Sequence, residues 1–258
     1  MPKLAANLSM LFNEVGFLDR FAAAAAAGFE GVEFLFPYAF PAEAIAERLQ
    51  AAGLAQALFN MPPGDWEAGE RGMGCLADRR GEFQDGVERA IGYARALGCP
   101  TIHAMAGNAP AGGDRDRLTA AFVENLRFAA DECAKAGLTV VIEPINSRDM
   151  PAYFLNTSAQ ALDILARVGA ANAKLQYDIY HMQIMEGDLA PTIERILPMI
   201  AHMQLADTPG RHEPGTGEIN FAWLLPQIDR LGYSGWIGCE YRPAGDTVAG
   251  LGWARPYL

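Results

Sequence analysis

A short repeat runs through this sequence: a helix-like stretch ends at a glycine, and a short apolar run follows it. The glycines of the six copies are Gly28, Gly53, Gly98, Gly137, Gly169 and Gly232. A glycine just beyond a helix is favourable because it adopts a left-handed backbone conformation without a steric penalty. A short apolar run after it is typical of a buried strand. The repeat therefore predicts strands that alternate with helices.

Two further strands lack the glycine, which gives eight strand–helix units. The expected strands cover residues 4–8, 31–34, 56–59, 101–103, 139–142, 174–177, 200–205 and 236–239. The expected helices cover residues 15–27, 42–52, 81–97, 115–136, 158–168, 189–197 and 221–231. Alternation of this kind predicts a parallel sheet, and eight units predict a closed barrel. We therefore expect a single α/β domain over residues 1–258, folded as a (β/α)8 TIM barrel.

The structural alternative is an open, doubly wound sheet. That fold normally carries a glycine-rich fingerprint after its first strand. Here the first strand leads into Asn-Leu-Ser-Met at residues 7–10, which is not such a fingerprint. The length of 258 residues also matches the roughly 250 residues that are typical of the barrel. Both observations favour the closed barrel.

The chain is acidic, with 20 Lys and Arg against 31 Asp and Glu, a formal net charge of −11. Nucleic-acid-binding proteins usually show a basic stripe, and none is visible here. No apolar run approaches the roughly 20 residues of a membrane span, and the first residues lack a secretory pattern. The four cysteines form no C-x-x-C pair, which suits a reducing compartment. We therefore expect a cytoplasmic protein without a nucleic-acid or membrane partner, and a homo-oligomer is left open.

Every expected strand ends in a polar or acidic side chain. These side chains are Asn7, Glu33, Asn60, His103, Glu143, Asp178, Gln204 and Glu240. Active residues of a (β/α)8 barrel lie where strands end and the following loops begin. The eight side chains are therefore expected to surround one cavity. His202 alternates with Gln204, so it is expected to share the inward face of that strand and to fill the barrel.

Four of these strand ends carry carboxylates, and three of them, Glu143, Asp178 and Glu240, are expected to converge at one rim of the barrel. Carboxylates that converge on one cavity repel each other and raise each other's pKa unless a cation neutralises them. With the amide oxygen of Gln204 they form an all-oxygen ligand set, which hard cations prefer. A zinc site would need more histidines, and the sequence has four with no H-E-x-x-H pattern. These four residues therefore predict a site for Mg²⁺ or Mn²⁺.

Five further residues are candidates for binding a substrate. His181 follows Asp178 by three residues and is expected to hydrogen-bond a substrate oxygen, with a purely structural role as the alternative. Arg211 lies in a loop that can reach over the site, and it is our first candidate for binding a substrate carboxylate. Arg71 is the second candidate, in a segment at 61–80 whose length is typical of a lid. Arg148 and Arg242 stay open as further candidates. Asn60 and His103 complete the set as strand-end residues.

The sequence also resembles a known family over essentially its whole length. The matching segments are NLSMLF at 7–12, GVEFLFPY at 31–38, PGDW at 63–66, AGERG at 68–72, IEPIN at 142–146, QYDIYHMQ at 176–183, EPGTGEIN at 213–220 and GCEY at 238–241. In these segments the chain is similar to the hydroxypyruvate isomerases of the xylose-isomerase-like barrel superfamily. Several long motifs in the same order make the resemblance specific.

The resemblance implies a small hydroxy- or oxo-acid substrate and the reversible conversion of hydroxypyruvate to tartronate semialdehyde. It implies that Glu143 and Glu240 are the catalytic acid/base pair, and that Glu143, Asp178, Gln204 and Glu240 surround the metal. Isomerases of 2-oxo-tetronate belong to the nearest relatives, so that substrate stays an alternative. Ketose 3-epimerases are a further alternative, although related epimerases usually carry a histidine in place of Gln204.

Two alternatives come from other classes of protein. The first is a DNA-repair endonuclease on a related metal-bearing barrel, which would need a basic groove that this acidic chain does not show. The second is a non-catalytic binding protein, which would hold sugar acids without turnover. The isomerase chemistry that the resemblance implies suits the strand ends, because two carboxylates can take and return a proton while a cation stabilises an enediolate.

Overall fold

The computed structural model describes all 258 residues, and its strands form a closed parallel barrel in chain order. The strands are β1 (Lys3–Asn7), β2 (Gly31–Phe34), β3 (Ala55–Asn60), β4 (Thr101–His103), β5 (Thr139–Ile142), β6 (Ala173–Asp178), β7 (Ile200–Leu205) and β8 (Trp236–Cys239). β1 pairs with both β2 and β8, which closes the barrel. The predicted (β/α)8 architecture is thus confirmed, with strand bounds that agree to within one residue.

Eight α-helices surround the barrel. They are α1 (Arg20–Ala26), α2 (Ala42–Ala52), α3 (Arg80–Leu97), α4 (Arg115–Lys135), α5 (Ser158–Val168), α6 (Ile179–Met185), α7 (Leu189–Ile196) and α8 (Phe221–Arg230). Gly53 and Gly98 follow α2 and α3 with φ of 66° and 62°, the left-handed conformation that the glycine repeat predicts. The repeat therefore marks real helix ends.

Two helices differ from the sequence prediction. The expected helix over 15–27 is interrupted, because Gly16 has an extended backbone and a short 3-10 helix, Phe17–Asp19, precedes α1. α6 was not predicted at all, since it is only seven residues long and begins directly after β6. The carboxylate of Asp178 caps it by accepting a hydrogen bond of 2.8 Å from the Tyr180 N–H. The end of β6 and the start of α6 are therefore fixed by the same acidic residue.

The apolar core lies between the outer surface of the barrel and the inner faces of the helices. Phe34 and Phe59 stack across neighbouring strands with ring centroids 6.2 Å apart, and Ile45 and Leu49 of α2 are buried. Burial of this kind removes apolar surface from water and supplies the main driving force for folding. The core holds the strands in register, and the register fixes the positions of the strand ends.

Two other sequence expectations bear on the fold. No helix combines the length and the apolar character that a membrane crossing demands. Cys75, Cys99, Cys133 and Cys239 are all free thiols buried in the interior. Burial raises the pKa of the first three of these thiols to about 12, so they are unreactive at neutral pH.

Candidate active site

The polar strand ends meet at one end of the barrel, as the sequence predicted. The buried members are Asn7, Glu33, Asn60, His103, Glu143, Asp178, Gln204 and Glu240, each at most 5% exposed. Strand pairing sets their neighbours: Asn60 lies opposite His103, and Asp178 lies opposite Gln204. Buried polar groups are costly unless they are paired or bind a ligand. Their concentration at one end of the barrel therefore identifies this end as the candidate active site.

Glu143, Asp178 and Glu240 form a compact cluster with His181. One ligand-type atom from each of the four residues lies within 4.8 Å of all the others. Glu143 and Glu240 directly follow β5 and β8, and Asp178 is the last residue of β6. The structure thus brings together the three carboxylates that the sequence predicted to converge, and it adds the imidazole of His181.

Burial is the main cause that raises the pKa of all three carboxyl groups. It raises the pKa of Asp178 to about 6 and the pKa of Glu240 to about 8. The pKa of Glu143 is well above its usual range because of burial, with the charges of Glu240 and Asp178 adding to the effect. The guanidinium of Arg211 acts in the opposite direction on each of them. One positive charge thus faces three acids, and the site has a deficit of positive charge.

Two carboxylate oxygens of the cluster have no hydrogen-bond partner within the protein and are free to bind a cation. Oε1 of Glu143 and Oδ2 of Asp178 are buried and have no hydrogen-bond partner. Such orphaned carboxylate oxygens are rare in folded proteins unless a ligand satisfies them. Oxygen donors of this kind suit a hard divalent cation such as Mg²⁺ or Mn²⁺. The residues at this site therefore fit the predicted metal.

Gln204, the fourth predicted metal ligand, belongs to a buried hydrogen-bond network beside the cluster. Its amide nitrogen donates to Glu33 at 2.7 Å, and its amide oxygen accepts from Gln176 at 2.6 Å. An amide oxygen has a second lone pair, so this contact leaves one acceptor position for a cation. Glu33 also pairs with His202 at 2.6 Å, and Asn7 donates to Glu33 at 2.9 Å. His202 thus faces the barrel interior, as expected, and there it makes a polar contact with Glu33.

A glycine makes room for this network. Gly238 lies opposite Gln204 in the barrel, and a Cβ atom at this position would overlap the carboxylate of Glu33. Asn7 links the network to the cluster, because its amide also donates to Oε1 of Glu240 at 3.3 Å. The orientation of Glu240 and Gln204 therefore depends on Glu33, which has no contact with solvent.

Arg211 reaches the cluster from the loop after β7. Its Nη2 contacts Oε2 of Glu240 at 2.5 Å and lies 3.9 Å from Oδ2 of Asp178, while its Nε is buried without a partner. The guanidinium also lies over the ring of Tyr180, 5.0 Å from its centroid. Arg211 has a φ of 54°, which is uncommon for a residue with a side chain and often occurs at functional sites. The predicted approach of Arg211 to the site is thus present.

Asp207 holds that loop in place. Its Oδ1 accepts from the backbone N–H groups of Thr208 and Ile219, and its Oδ2 accepts from those of Gly215 and Gly217, all at 2.9–3.0 Å. A carboxylate that accepts several N–H groups is a strong local anchor. Sequence reasoning missed this role, although an acidic residue just beyond β7 and ahead of a glycine-rich loop is a signal that could have indicated it.

The remaining predicted substrate-binding residues occupy different positions. His103 lies 3.7 Å from Glu143 and 3.2 Å from the amide oxygen of Asn60, and burial lowers its pKa to about 3, so it is neutral. Arg71 makes no ion pair with the cluster. Its guanidinium stacks on Trp66, 3.8 Å from the ring centroid. Its role in binding a substrate therefore stays a prediction.

Comparisons with known proteins agree with this geometry. A family model described as xylose isomerase-like TIM barrel matches residues 21–257. The chain is 56% identical to a "2-oxo-tetronate isomerase" of Cupriavidus necator, with 100% of this chain and 99% of that protein covered. It is 49% identical to "Hydroxypyruvate isomerase" of Escherichia coli, with the whole of both chains covered.

A solved structure is also similar over the full length. A crystal structure from Brucella melitensis titled "AP endonuclease, family 2" superposes with a TM-score of 0.98 at 51% identity. The match covers 100% of this chain and 99% of that chain. The comparisons therefore agree on one architecture, while the names of the similar proteins differ in substrate.

Proposed function

This chain belongs to the xylose isomerase-like TIM barrel family, and we propose that it is a metal-dependent isomerase of short 2-oxo-3-hydroxy acids. Hydroxypyruvate is the proposed substrate, and tartronate semialdehyde is the proposed product. The observation that carries the proposal is the buried cluster of Glu143, Asp178 and Glu240, which has two unpartnered oxygens and one facing guanidinium. Full-length relatives named for isomerases of such acids support it.

The reaction moves a carbonyl group by one carbon. A base removes a proton from C3 of hydroxypyruvate, and the electrons form an enediolate across C2 and C3. Delivery of a proton to C2 and loss of the proton from the C3 hydroxyl then give the aldehyde. No other reactant is consumed. Glu143 and Glu240 follow different strands of the barrel, so they can approach the substrate from different sides. We assign them as the pair that takes and returns the proton.

A carboxyl group suits this work when its pKa is near the working pH. In the metal-free protein, burial raises the pKa of Glu240 to about 8 and holds that of Glu143 well above its usual range. A bound cation would lower both pKa values and favour the ionised form that takes up a proton. The fork of Arg211 would bind the substrate carboxylate, since its Nε–H has no partner within the protein. His181 would hydrogen-bond a substrate oxygen.

A divalent cation held by Glu143, Asp178, Gln204 and Glu240 would supply electrostatic stabilisation for the negative charge of the enediolate. The four residues contribute only oxygen atoms, which is the donor set for Mg²⁺ or Mn²⁺. Their burial excludes water and strengthens each charge interaction in the site. The same burial makes ionisation of the carboxylates unfavourable unless a positive charge lies beside them.

2-Oxo-tetronate is the second candidate substrate. It contains the same 2-oxo-3-hydroxy unit with one more carbon, so the same proton transfer applies. The specific observation in its favour is the 56% identity to a protein named for that reaction, against 49% for the one named for hydroxypyruvate. An endonuclease activity, by contrast, would require contacts to phosphates, and the net charge of −11 opposes them.

The test is a time course followed by NMR in D₂O. Purified protein is given hydroxypyruvate, 2-oxo-tetronate, a ketohexose or a DNA duplex with an abasic site, each with Mg²⁺ or with excess chelator. We expect turnover of the two acids with Mg²⁺ only, and deuterium at C2 of the product because the proton passes through a carboxyl group.

Three outcomes would contradict parts of the proposal. Full turnover in excess chelator would show that the reaction does not depend on a metal ion. Product without deuterium after many turnovers would favour a hydride shift over the two-carboxylate mechanism. If neither acid is converted with Mg²⁺ or Mn²⁺, the proposed isomerase function is wrong. Cleavage of the DNA would then assign an endonuclease function, and epimerisation of the sugar would assign a ketose epimerase function. The ratio of kcat/KM for the two acids decides which one is the better substrate.

A further inference from the structure

The two ring nitrogens of His181 have opposite surroundings. Nδ1 faces two N–H donors: the side-chain amide of Asn146 at 2.6 Å and the backbone N–H of the same residue at 3.4 Å. Nε2 faces carboxylate oxygens, with Asp178 at 3.5 Å and Glu143 at 3.9 Å. A ring nitrogen that accepts a hydrogen bond carries no proton. The contacts therefore place the single proton of a neutral His181 on Nε2.

The orientation of the Asn146 amide is fixed independently. Its oxygen accepts from the backbone N–H of Asp149 at 2.8 Å, and its nitrogen donates to the Asp149 carboxylate at 3.1 Å. Rotating the amide by half a turn would place its nitrogen against an N–H and its oxygen against a carboxylate. The Tyr180 hydroxyl donates to the same carboxylate oxygen at 2.9 Å and holds it in place. Asn146 can therefore only be a donor toward His181.

This pattern is the reverse of that at a metal-binding histidine. A histidine that binds a metal through one nitrogen usually donates the N–H of the other nitrogen to an acceptor. Binding through Nε2 would require a proton on Nδ1, and that proton would meet both N–H groups of Asn146. Although His181 lies within the cluster of ligand-type atoms, its surroundings oppose a role as a ligand.

We propose that Asn146 is a positioning residue that fixes His181 as the Nε2–H tautomer, so that His181 donates a hydrogen bond to a substrate oxygen and does not bind the metal. The role toward substrate rests on the proposed isomerase function. The tautomer itself rests only on the contacts within the protein. A neutral donor at this position would stabilise the negative oxygen of the enediolate as it forms.

The test compares three proteins labelled with ¹⁵N-histidine: the wild type, Asn146→Asp and Asn172→Asp. The first variant replaces the donor that faces Nδ1 by an acceptor of the same size. The second variant is the matched control, because Asn172 also donates from a partly buried amide but precedes β6, at the opposite end of the barrel. Long-range ¹H–¹⁵N spectra report which ring nitrogen carries the proton, and the His181 signal is identified by its loss in His181→Gln.

We expect an Nε2–H signal in the wild type that persists when Mg²⁺ is added, and the same signal in Asn172→Asp. In Asn146→Asp the proton should move to Nδ1 or both nitrogens should carry one. With the accepted substrate, kcat should fall by about 10²–10⁴ in this variant, since a reversed tautomer in a catalytic histidine costs up to about 10⁴-fold. The Asn172→Asp control should keep the wild-type kcat per folded molecule.

Two results would overturn the inference: a proton on Nδ1 in the wild type, or loss of the Nε2 proton when Mg²⁺ binds. If Asn146→Asp does not fold, Asn146→Ala serves in its place, and a wild-type tautomer ratio in that variant would also overturn it. Failure of the isomerase proposal is seen separately as an absence of turnover in the wild type, which leaves the tautomer readout intact.

Discussion

Three carboxyl groups each place an oxygen within 4.8 Å of the others, and one guanidinium faces them. Glu143 and Glu240 differ in their contacts: Oε1 of Glu143 has no hydrogen-bond partner, whereas both oxygens of Glu240 accept hydrogen bonds, from Asn7 and Arg211. The two residues are therefore suited to different tasks. Under the proposed function, Glu143 would be the freer base, and Glu240 would be the acid whose position is better defined.

The first prediction concerns these two residues. Glu143→Gln and Glu240→Gln should each lower kcat by at least about 10², the scale of a lost general acid or base. Both variants should stay folded, because an amide of the same size relieves repulsion among the acids. The measurement is kcat at saturating substrate and Mg²⁺, with melting temperature as the check on folding. The matched control is Glu194→Gln, an exposed glutamate on α7 that should leave kcat unchanged.

A variant with near-normal kcat at saturating metal would show that its residue is not part of the acid/base pair. A rise in KM for the metal with little change in kcat would assign the residue to metal binding alone.

At the scale of an element, the loop from β7 to α8 carries Arg211 and determines its position relative to the barrel. Asp207 accepts hydrogen bonds from four backbone N–H groups, which include those of Gly215 and Gly217, so the glycine-rich part of the loop folds back on Asp207 near the start of the loop. A second contact joins this loop to the one after β8, where the N–H of Arg242 donates to the carbonyl of Arg211 at 2.8 Å. The position of Arg211 therefore depends on a frame of backbone hydrogen bonds.

Asp207→Asn should disturb this frame. The amide keeps one acceptor oxygen but places an NH₂ group against two N–H donors. A buried donor without a partner costs about 1–3 kcal/mol, so the free energy of unfolding should fall by that amount. The activity should fall as well, by about 10²-fold in kcat/KM, since misplacing a positioning group by an ångström has that effect.

Denaturant unfolding and steady-state kinetics measure the two effects. Asp114→Asn provides the control, because Asp114 also accepts two backbone N–H groups, at the exposed start of α4. It should lose little stability and no activity. Unfolding of Asp207→Asn that matches the wild type, with unchanged kcat/KM, would mean that the loop is held by its other contacts.

For the whole molecule, the acidic cluster should make the stability of the folded protein depend on pH and on metal binding. The folded protein raises the pKa of Asp178 to about 6 and that of Glu240 to about 8, both above the values of an unfolded chain. The folded state therefore holds more protons than the unfolded state between about pH 4 and pH 8. The stabilisation from these groups is fully present at the acidic end of this range and is lost as the pH rises through 6 and then 8.

We therefore expect the melting temperature of the metal-free protein to fall between pH 5 and pH 8.5. Mg²⁺ or Mn²⁺ should raise it most at the alkaline end, where the carboxylates are ionised and protons no longer compete for them. Thermal melts in chelator and in metal across this range make the measurement. The Glu143→Gln variant should show a shallower dependence. A melting temperature that rises steadily with pH in chelator would contradict the account.

The carboxylate cluster could be predicted from sequence because its members are local features. Glu143, Asp178 and Glu240 each end a strand, and a closed barrel brings strand ends together whatever the details of packing. Contacts between distant residues could not be predicted in this way. Glu33 and His202 are 169 positions apart, and only the register of the barrel makes them neighbours. α6 was missed for the opposite reason, since it is too short to show a helical period.

The glycine that faces Glu33 has a consequence for sorting unassigned members of this family. Gly238 is required for space and not for backbone freedom, because its φ is not in the left-handed range. A chain with a side chain at this position has no room for a glutamate at position 33, and it would lose that residue's contacts to Asn7, His202 and Gln204. Positions 33 and 238 should therefore change together. The residues at these two positions therefore distinguish family members that contain this Glu33 network from members that lack it, even when both are equally identical to this chain overall.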